Sequence, residues 1–467
     1  MLLVTTVHQE LSKIIPLLAA LHSSVSMHLL VCDTAKADKK VAEDLARGLR
    51  TWIRRQGRDV AVKTLYVDED NGATLADAEA IFSSYEGEIA LNVAGADFAL
   101  AMMLAQKVSA HGGKVLAYDG ADNTYNILQN GKMHNVRLRG GMGVDDFFML
   151  NGEKIIKVGD KARVRKMRSS FYMLFGELGA RIHRLRKLLR NKEHKQIANH
   201  YAHTLHALAE LGIWDEDKKE VSSDFHDSNF GYLFESYLFL HLEQYDFDDI
   251  AFNLSVAFEY DDADDSRNVM NEFDIVVMKD NRPGFIECKF GHRKLQPESV
   301  IYKVDALMDY FGSNSRGVIV HVSDMRQNMR YKNPQRYTPR HKARANSKRI
   351  GVYHASTLEN GAFKRLLEEY FGVRKRLWLM HTRHPDYERI MGILKHCGQA
   401  VYAKAPEDKR RIDDIAEAFE KKGYRLYAVD FDDDETNHSD IVHFRTDETH
   451  SVAEQIAKKL DCMYLIS

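Results

Sequence analysis

The sequence predicts an α/β protein built from several domains, and three observations support this. A chain of 467 residues is too long for a single hydrophobic core. Residues 1–150 alternate short apolar strands with amphipathic helices, which is typical of a doubly wound parallel sheet. Residues 271–289 have the pattern of two apolar strands joined by a turn. We therefore expect four parts: a doubly wound domain at 1–150, a helical connector at 151–220, a domain containing the hairpin at 221–375, and a small α/β unit of unknown role at 376–467.

The first domain is predicted to hold five parallel strands, near residues 2–6, 27–32, 61–67, 88–93 and 114–118. Ligands of doubly wound sheets bind beyond the carboxyl ends of the strands. The ends of the first and fourth strands therefore supply the candidate ligand-binding residues, which are Thr5, Thr6, His8, Gln9, Asn92, Ala94, Gly95 and Ala96. The sequence lacks GxGxxG, which argues against an ordinary dinucleotide site. Gly95 precedes a helix and could let the backbone approach a phosphate, or it could be a simple loop glycine.

The connector contains two strongly basic segments, at residues 163–168 and 181–190. Clustered arginine and lysine side chains suit a surface that contacts phosphates. A run of charge on a helix is more often only a solvated face. Both interpretations stay open.

The predicted hairpin carries the most informative side chains. Asp274 opens its first strand, and Glu287 and Lys289 lie two residues apart on its second strand. Because side chains alternate across a strand, Glu287 and Lys289 share one face while Cys288 points away, and pairing can bring Asp274 to that face. Carboxylates hold hard divalent cations, and such an ion polarises a phosphate and activates water, which a lysine could orient. The alternative is a solvated hairpin, but the apolar flanks predict a buried strand pair in which charges need partners.

The elements on either side of the hairpin add further candidates. Glu235 lies within an apolar helical run, and Lys303 lies in the helix that follows the hairpin. Either could be an ordinary solvated charge, although Lys303 could also face a phosphate. A basic segment at residues 326–349 interleaves arginine and lysine with tyrosine, which suits a nucleic-acid-binding loop, a mobile loop being the alternative. Its candidate nucleic-acid contacts are Arg330, Lys332, Arg336, Arg340 and Lys342.

The bulk composition narrows the function classes. The formal net charge is −2, so any nucleic-acid-binding surface has to be a local patch. The four cysteines are scattered without metal-binding spacing, which favours a reducing compartment. There is no apolar run of transmembrane length, and the first residues lack the features of a signal peptide, so we expect a cytoplasmic protein that does not contact membranes. Nothing in residues 376–467 identifies a chemistry.

The D-x12-E-x-K pattern across the hairpin resembles the PD-(D/E)xK nuclease core. With the doubly wound domain and the connector, segments 271–274, 286–289 and 302–303 resemble the CRISPR-associated nucleases that join a CARF domain to a PD-(D/E)xK restriction-endonuclease-like domain. CARF denotes a CRISPR-associated Rossmann fold. The resemblance covers about residues 1–375. It implies a type III ancillary nuclease in antiviral defence, a homodimer that binds a cyclic oligoadenylate across paired CARF domains, and metal-dependent cutting of nucleic acid.

The resemblance also implies roles for individual residues. Asp274 and Glu287 would share one Mg²⁺ or Mn²⁺ ion, with the Cys288 carbonyl as a further ligand. Glu235 would support the ion from the preceding helix, directly or through water. Lys289 would position the attacking water.

One segment departs from the pattern of the resembled family. Activated members usually carry a T-G-G-T-K-like turn after the fourth strand, whereas this chain has V-A-G-A-D-F at 93–98. The departure leaves open the ring size of the activator and whether one is needed. Two alternatives to a regulated nuclease therefore stand: an unregulated restriction- or repair-type nuclease, and a non-catalytic nucleotide sensor that only grips nucleic acid. The intact set of Asp274, Glu287 and Lys289 argues against the second.

Overall fold

The computed structural model describes most of the chain. The described ranges are 1–8, 10–34, 39–67, 72–94, 97–138, 141–177, 181–226, 229–258, 270–290, 297–312, 315–322, 338–355, 358, 361–382, 387–396, 399–405, 415, 418–419, 421–422, 424–430, 441–444 and 463–466. Within them the predicted fold class is confirmed, because an N-terminal doubly wound sheet is followed by helices, a mixed sheet and a small α/β unit.

The N-terminal sheet has the strand order β3-β2-β1-β4-β5-β6-β7. Its strands are β1 (Leu2–Val7), β2 (Met27–Asp33), β3 (Ala61–Val67), β4 (Ile89–Asn92), β5 (Lys114–Asp119), β6 (Thr124–Gln129) and β7 (Lys132–Arg137). Strands β1 to β5 pair in parallel. Strand β1, with sequence LLVTTV, is buried at every position, as expected for a central strand covered on both faces.

Helices cover both faces of this sheet. They are α1 (Ile15–Leu21), α2 (Lys39–Arg55), α3 (Gly72–Ser84), α4 (Phe98–Ala110) and α5 (Val144–Leu150). Leu3 and Val4, which are adjacent on β1, belong to different apolar clusters. Leu3 packs on the side of α2, with Leu45, and Val4 on the side of α4, with Leu104. The alternation of the strand thus anchors helices on opposite faces.

The sequence analysis missed the antiparallel strands β6 and β7, which extend the sheet beyond β5. They are joined at Asn130 and Gly131, whose φ angles are 50° and 71°. Left-handed φ at both central residues is the condition for a two-residue hairpin turn, and Asn-Gly is its usual sequence. Every residue of β7 is exposed, so no apolar alternation marked it as a strand.

The connector is mostly helical, as predicted. It contains α6 (Lys161–Lys166), α7 (Arg168–Phe171), a π-helical turn (Tyr172–Glu177), α8 (Ile182–Arg190), α9 (His194–His200) and α10 (Leu205–Glu210), preceded by β8 (Glu153–Lys157) and followed by the short hairpin β9 (Trp214–Asp215) and β10 (Glu220–Val221). Strand β8 and this hairpin are the parts of this region that the sequence analysis did not predict.

The second sheet has the strand order β15-β14-β13-β12-β11-β8. Its remaining strands are β11 (Asp249–Phe258), β12 (Met270–Lys279), β13 (Arg282–Phe290), β14 (Arg316–Val322) and β15 (Ile350–His354). The helices packed around them are α11 (Asn229–Leu242), α12 (Pro297–Phe311), α13 (Pro339–Ser347) and α14 (Gly361–Phe371). Strands β11, β12 and β13 pair antiparallel, whereas β13, β14 and β15 pair in parallel. Strand β8 closes the outer edge by pairing antiparallel with β11.

Helix α5 joins the two sheets into one core. Phe148 lies 5.6 Å from Phe273 of β12, and Phe147 lies 5.7 Å from Phe311 of α12, measured between ring centroids. These rings belong to one apolar cluster that also contains residues of β1 and α2. Gly48 of α2 faces the backbone of α5 so closely that a Cβ would collide with the Met149 carbonyl. The N-terminal and second sheets are therefore packed directly against each other.

The C-terminal unit contains β16 (Lys375–His381), α15 (Tyr387–His396), β17 (Ala400–Lys404), β18 (Tyr424–Asp430), β19 (Ile441–Phe444) and β20 (Met463–Ile466). Its strand order is β17-β16-β18-β19-β20. Buried Arg376 of β16 donates hydrogen bonds to the carbonyls of Glu243 (3.1 Å) and Phe247 (2.8 Å), which lie just beyond α11. The predicted boundaries near residues 150, 220 and 375 stay predictions. Among the described residues, no helix has the length and apolar character needed to cross a membrane.

Candidate active site

The candidate site lies where strands β12 and β13 separate. Their backbone pairing ends at Ile275 opposite Ile286. Asp274 and Glu287 are the next residues on each strand. Beyond this point the N–H of Cys288 donates to Asp274 Oδ2 at 2.7 Å. A carboxylate thus takes the place of a backbone acceptor, which fixes Asp274 against the second strand.

Glu287 is the most buried charged side chain of the site, with no exposed surface. Its two carboxylate oxygens accept hydrogen bonds from Lys303 Nζ of α12 at 2.9 and 3.0 Å. Lys289 forms a second ion pair with the same carboxylate. A buried carboxylate would be unfavourable without such partners, so two lysines from two elements compensate one acid.

Lys289 contacts three oxygens at once. Its ammonium lies 3.5 Å from Asp274 Oδ2 and 3.1 Å from the Cys288 carbonyl oxygen, in addition to its ion pair with Glu287. These are the three groups that the sequence analysis predicted as metal ligands. Hard oxygen donors therefore converge on one cationic centre, which is the donor chemistry that Mg²⁺ and Mn²⁺ require. A divalent ion fits these three oxygen ligands once the Lys289 ammonium moves away from them.

Burial and like charge shift the protonation of the site. Burial raises the pKa of Asp274, and the negative charge of Glu287 raises it further. Burial alone would lower the pKa of Lys289, but Asp274 and Glu287 outweigh it, so this pKa is raised. Burial also raises the pKa of the Cys288 thiol, which belongs to the apolar cluster beneath α11. The site consequently favours a cation near its two carboxylates and keeps the thiol protonated.

Glu235 enters from α11. Burial raises its pKa to about 8, and the charge of Asp274 contributes to the same shift. It is half-buried rather than exposed, so the interpretation of an ordinary exposed helix acid does not hold. Among the residues that the structure describes, no three His, Cys, Asp or Glu side chains converge closely enough to hold a metal. Glu235 accordingly lies near the two carboxylates without completing a three-acid cluster.

Helix α13 brings the described part of the basic segment near the site. Arg344 stacks over Tyr302 at 4.7 Å, and Lys348 forms an ion pair with Asp305, so α13 is attached to the helix that carries Lys303. Arg340 and Lys342 are exposed on α13. The other three nucleic-acid candidates, Arg330, Lys332 and Arg336, lie outside the described residues.

The candidate ligand residues of the first domain divide into two groups. Thr5 and Asn92 are neighbours across β1 and β4, and both are buried. The Thr6 hydroxyl donates to the Asn92 carbonyl at 3.1 Å, and the Asn92 side chain accepts from the N–H of buried Ala94 at 3.0 Å. The Thr5 hydroxyl is buried and has no hydrogen-bond partner in the described part of the chain.

The remaining ligand candidates lie on or near the loops. His8 is half-buried, and its Nδ1 accepts from the N–H of Glu10 at 3.4 Å. Gln9, Gly95 and Ala96 lie outside the described residues. Asp97, which replaces the lysine of the resembled turn, caps α4 by accepting from the N–H of Ala99 at 3.0 Å. Its carboxylate is thus engaged by the helix N-terminus.

Lys157, at the end of β8, is a residue near the site that the sequence did not predict. Its positive charge acts to lower the pKa of Glu235, but burial has the larger effect and raises it. The two β-branched residues at 155–156 favour a strand, but the charged residues on both sides of them give no alternating pattern. Its partner β11 lies about a hundred residues further along the chain, so that signal gave no position for it.

The fold places a doubly wound domain before the sheet that carries the candidate site, and part of the second region matches a known endonuclease domain. Residues 228–337 match the family model of the Card1-like endonuclease domain. The resemblance to CRISPR-associated CARF nucleases that the sequence predicted is therefore confirmed, and the chain carries a Card1-like endonuclease domain. No curated protein sequence matches this chain.

Solved structures share the architecture. Protein VC1899 from Vibrio cholerae superposes with a TM-score of 0.59 at 14% identity, covering 79% of this chain and 98% of that one. Can2 from Sulfobacillus thermosulfidooxidans, in complex with cyclic tetra-adenylate, gives a TM-score of 0.54 at 17% identity, covering 76% and 96%. A type III CRISPR defence DNA nuclease activated by cyclic oligoadenylate gives only 0.40 at 14% identity, covering 69% and 45%, and is too remote to support an argument. At these identities the likeness is one of fold alone.

Proposed function

We propose that this protein is a metal-dependent endonuclease that hydrolyses phosphodiesters of DNA or RNA and is switched on by a cyclic oligoadenylate in type III CRISPR antiviral defence. The observation that carries the proposal is the contact of the Lys289 ammonium with Asp274, Glu287 and the Cys288 carbonyl, inside a Card1-like endonuclease domain. A strand pair that opens to bury two acids beside Lys289 has little structural purpose of its own, because buried ion pairs contribute little net stability.

Each side chain has a role that its position supports. When bound, Mg²⁺ or Mn²⁺ would polarise the scissile phosphate and lower the pKa of a water molecule. Asp274, Glu287 and the Cys288 carbonyl would hold the ion. Lys289, released from these oxygens, would orient the attacking water by a hydrogen bond. Lys303, whose side chain is 46% exposed, would face the phosphate and offset its negative charge. Glu235 would hold a water molecule at the edge of the site.

The activating switch is proposed to lie in the first domain. Two copies of the chain are proposed to pair there as a homodimer. Phe98 and Met102, one turn apart on α4, are 79% and 57% exposed. Large apolar side chains exposed side by side favour a protein contact, and two-fold pairing would present two equal sites to a ring. The activator would contact the ends of β1 and β4, where the Thr5 hydroxyl lacks a partner in the described structure. The fold likeness to Can2, solved with cyclic tetra-adenylate, supports a ring ligand of this class.

A cleavage assay tests this proposal. Labelled DNA and RNA, single-stranded and duplex, are incubated with the full chain and Mg²⁺ or Mn²⁺, with and without cyclic oligoadenylates of several ring sizes. We expect cutting that depends on the metal, stops with a chelator and rises with one ring size. Cutting that continues unchanged in excess chelator would contradict metal dependence. The absence of cutting under every condition would contradict the proposal that the protein is a nuclease.

An unregulated nuclease is the second candidate, and one observation favours it. The Thr6 hydroxyl donates to the Asn92 carbonyl, the Asn92 side chain accepts from the N–H of Ala94, and Asp97 is engaged as a helix cap. Fewer polar groups are then free at the ends of β1 and β4 to recognise a nucleotide. In this case the same assay would give equal cutting with and without every ring.

A further inference from the structure

Helix α8 presents a stripe of basic side chains that starts beside the candidate active site. With about 100° of rotation per residue, positions 183, 186, 187 and 190 fall on one face of the helix. These positions are His183, Arg186, Lys187 and Arg190. The buried residues of α8, among them Leu185 and Leu189, lie on the adjoining face and hold the helix to the core.

The first half of this stripe is fixed against the strand that carries the site. Arg186 donates to the carbonyl of Phe290 at 3.4 Å, and its guanidinium lies 5.1 Å from the centre of the Phe290 ring. His183 stacks on the same ring at 5.3 Å. Phe290 directly follows Lys289. Arg186 also lies 5.7 Å from the ring of Phe230, which is on α11 with Glu235. Helix α8 therefore contacts two of the elements that supply site residues, β13 and α11.

The second half of the stripe is open to solvent. Lys187 and Arg190 are exposed and make no ion pair or hydrogen bond within the described structure. They continue the line from Arg186 along the helix, and Arg190 lies about 6 Å beyond Arg186 at 1.5 Å per residue. The net charge of the whole chain is −2, so this cluster is a local concentration of positive charge and not part of a general excess.

We propose that Lys187 and Arg190 bind the sugar–phosphate backbone of the nucleic acid and lead it to Lys289. This inference rests on the proposed nuclease function and adds the path of the substrate. A polyphosphate strand is the partner that matches a linear cationic stripe whose exposed half, Lys187 and Arg190, leads towards the proposed site of phosphodiester cleavage. Arg186 and His183 set the direction of the stripe by fixing it to Phe290, so they act as positioning residues.

The test is the salt dependence of binding, measured on the full chain without metal so that no cutting occurs. Fluorescence anisotropy of short labelled DNA and RNA is recorded for wild type and for K187Q/R190Q between about 50 and 200 mM salt. Each lost phosphate contact lowers the slope of log K against log salt by about 0.7 for single strands and 0.9 for duplexes. We expect the double variant to bind roughly 3- to 10-fold more weakly, with a slope smaller by about 1.4 to 1.8.

Two matched controls come from the same helix. Arg184 is also exposed, but it lies about 100° around the helix from the centre of the stripe. The variant R184Q should therefore bind nucleic acid with the same affinity and salt dependence as wild type. The swap K187R/R190K keeps both charges and should keep the slope. Circular dichroism and a thermal melt check that each variant folds.

Three results would overturn the proposal: an unchanged slope in K187Q/R190Q, an equal loss in R184Q, or no binding of nucleic acid by wild type. The first two can occur while wild type still cuts, and they would then refute the path alone. Failure of the nuclease proposal is seen separately, as absence of cutting in the assay with metal.

Discussion

Replacing Glu287 by glutamine should abolish cutting and leave the fold intact. The change keeps the shape of the side chain but removes the charge that pairs with Lys289 and Lys303 and that would hold the proposed metal. Loss of a metal ligand removes both the polarisation of the phosphate and the activated water. We expect cleavage to fall at least about 10³-fold, which corresponds to about 4 kcal/mol of transition-state stabilisation.

The expected cost in stability is smaller than for an ordinary buried pair. Breaking a fully buried ion pair costs about 3–5 kcal/mol. Here Lys289 keeps Asp274 and the Cys288 carbonyl as partners, and Lys303 is 46% exposed and can turn to water. We therefore expect a free energy of unfolding lower by only about 1–3 kcal/mol, seen as a melting temperature lower by less than about 10 °C.

The assay is cleavage of the best substrate by purified Glu287→Gln with Mg²⁺ or Mn²⁺, beside a thermal melt. Asp309→Asn is the control, since Asp309 is exposed on the same helix as Lys303 and should cut like wild type. Wild-type rates from a folded Glu287→Gln protein would mean that the active site lies elsewhere.

Further predictions concern the metal, the neighbouring acid, the dimer and pH. Lys289→Met should lose cutting while binding Mg²⁺ or Mn²⁺ at least as tightly as wild type by calorimetry, because the ammonium no longer contacts the ligand oxygens; weaker metal binding would contradict this. Glu235→Ala should cut only about 10-fold more slowly, since this acid stands apart from the two ligands; complete loss would make it a ligand. Light scattering should give a dimer at micromolar concentration and a monomer for Phe98→Arg, and a monomeric wild type would refute the interface. Burial lowers the pKa of His28 from 6.5 to about 4, so as the pH falls the unfolded chain binds a proton before the folded chain does. The free energy of unfolding should therefore fall below pH 6.5, by about 2 kcal/mol at pH 5. Urea unfolding measures this loss, and it should vanish in His28→Leu.

The hairpin was predictable because its signals are local. Apolar flanks and a turn predict strands β12 and β13, and alternation places Glu287 and Lys289 on one face. The opening of the pair after Ile275 and Ile286 could not be predicted, because it depends on a side chain that replaces a backbone acceptor. The contact of one ammonium with three oxygens also depends on rotamers chosen in three dimensions.

Elements that join distant parts of the chain were the hardest to predict. Strand β8 is short and has no alternating pattern, and its partner β11 is far along the chain. Strand β7 is exposed throughout, so only the Asn130–Gly131 turn marked its hairpin. The basic run on α8 was visible, whereas its attachment to Phe290 required the packed structure.

The packing of α5 limits where the chain can be truncated without loss of folding. Phe147 and Phe148 are shared by both sheets, and β8 supplies an edge to the second sheet from a position before the helical connector. A catalytic fragment that starts at residue 221 would lose that edge strand and uncover aromatic rings, which invites aggregation. Chimaeras that exchange the N-terminal domain should therefore place the junction before residue 144, so that α5 and β8 stay with the second sheet.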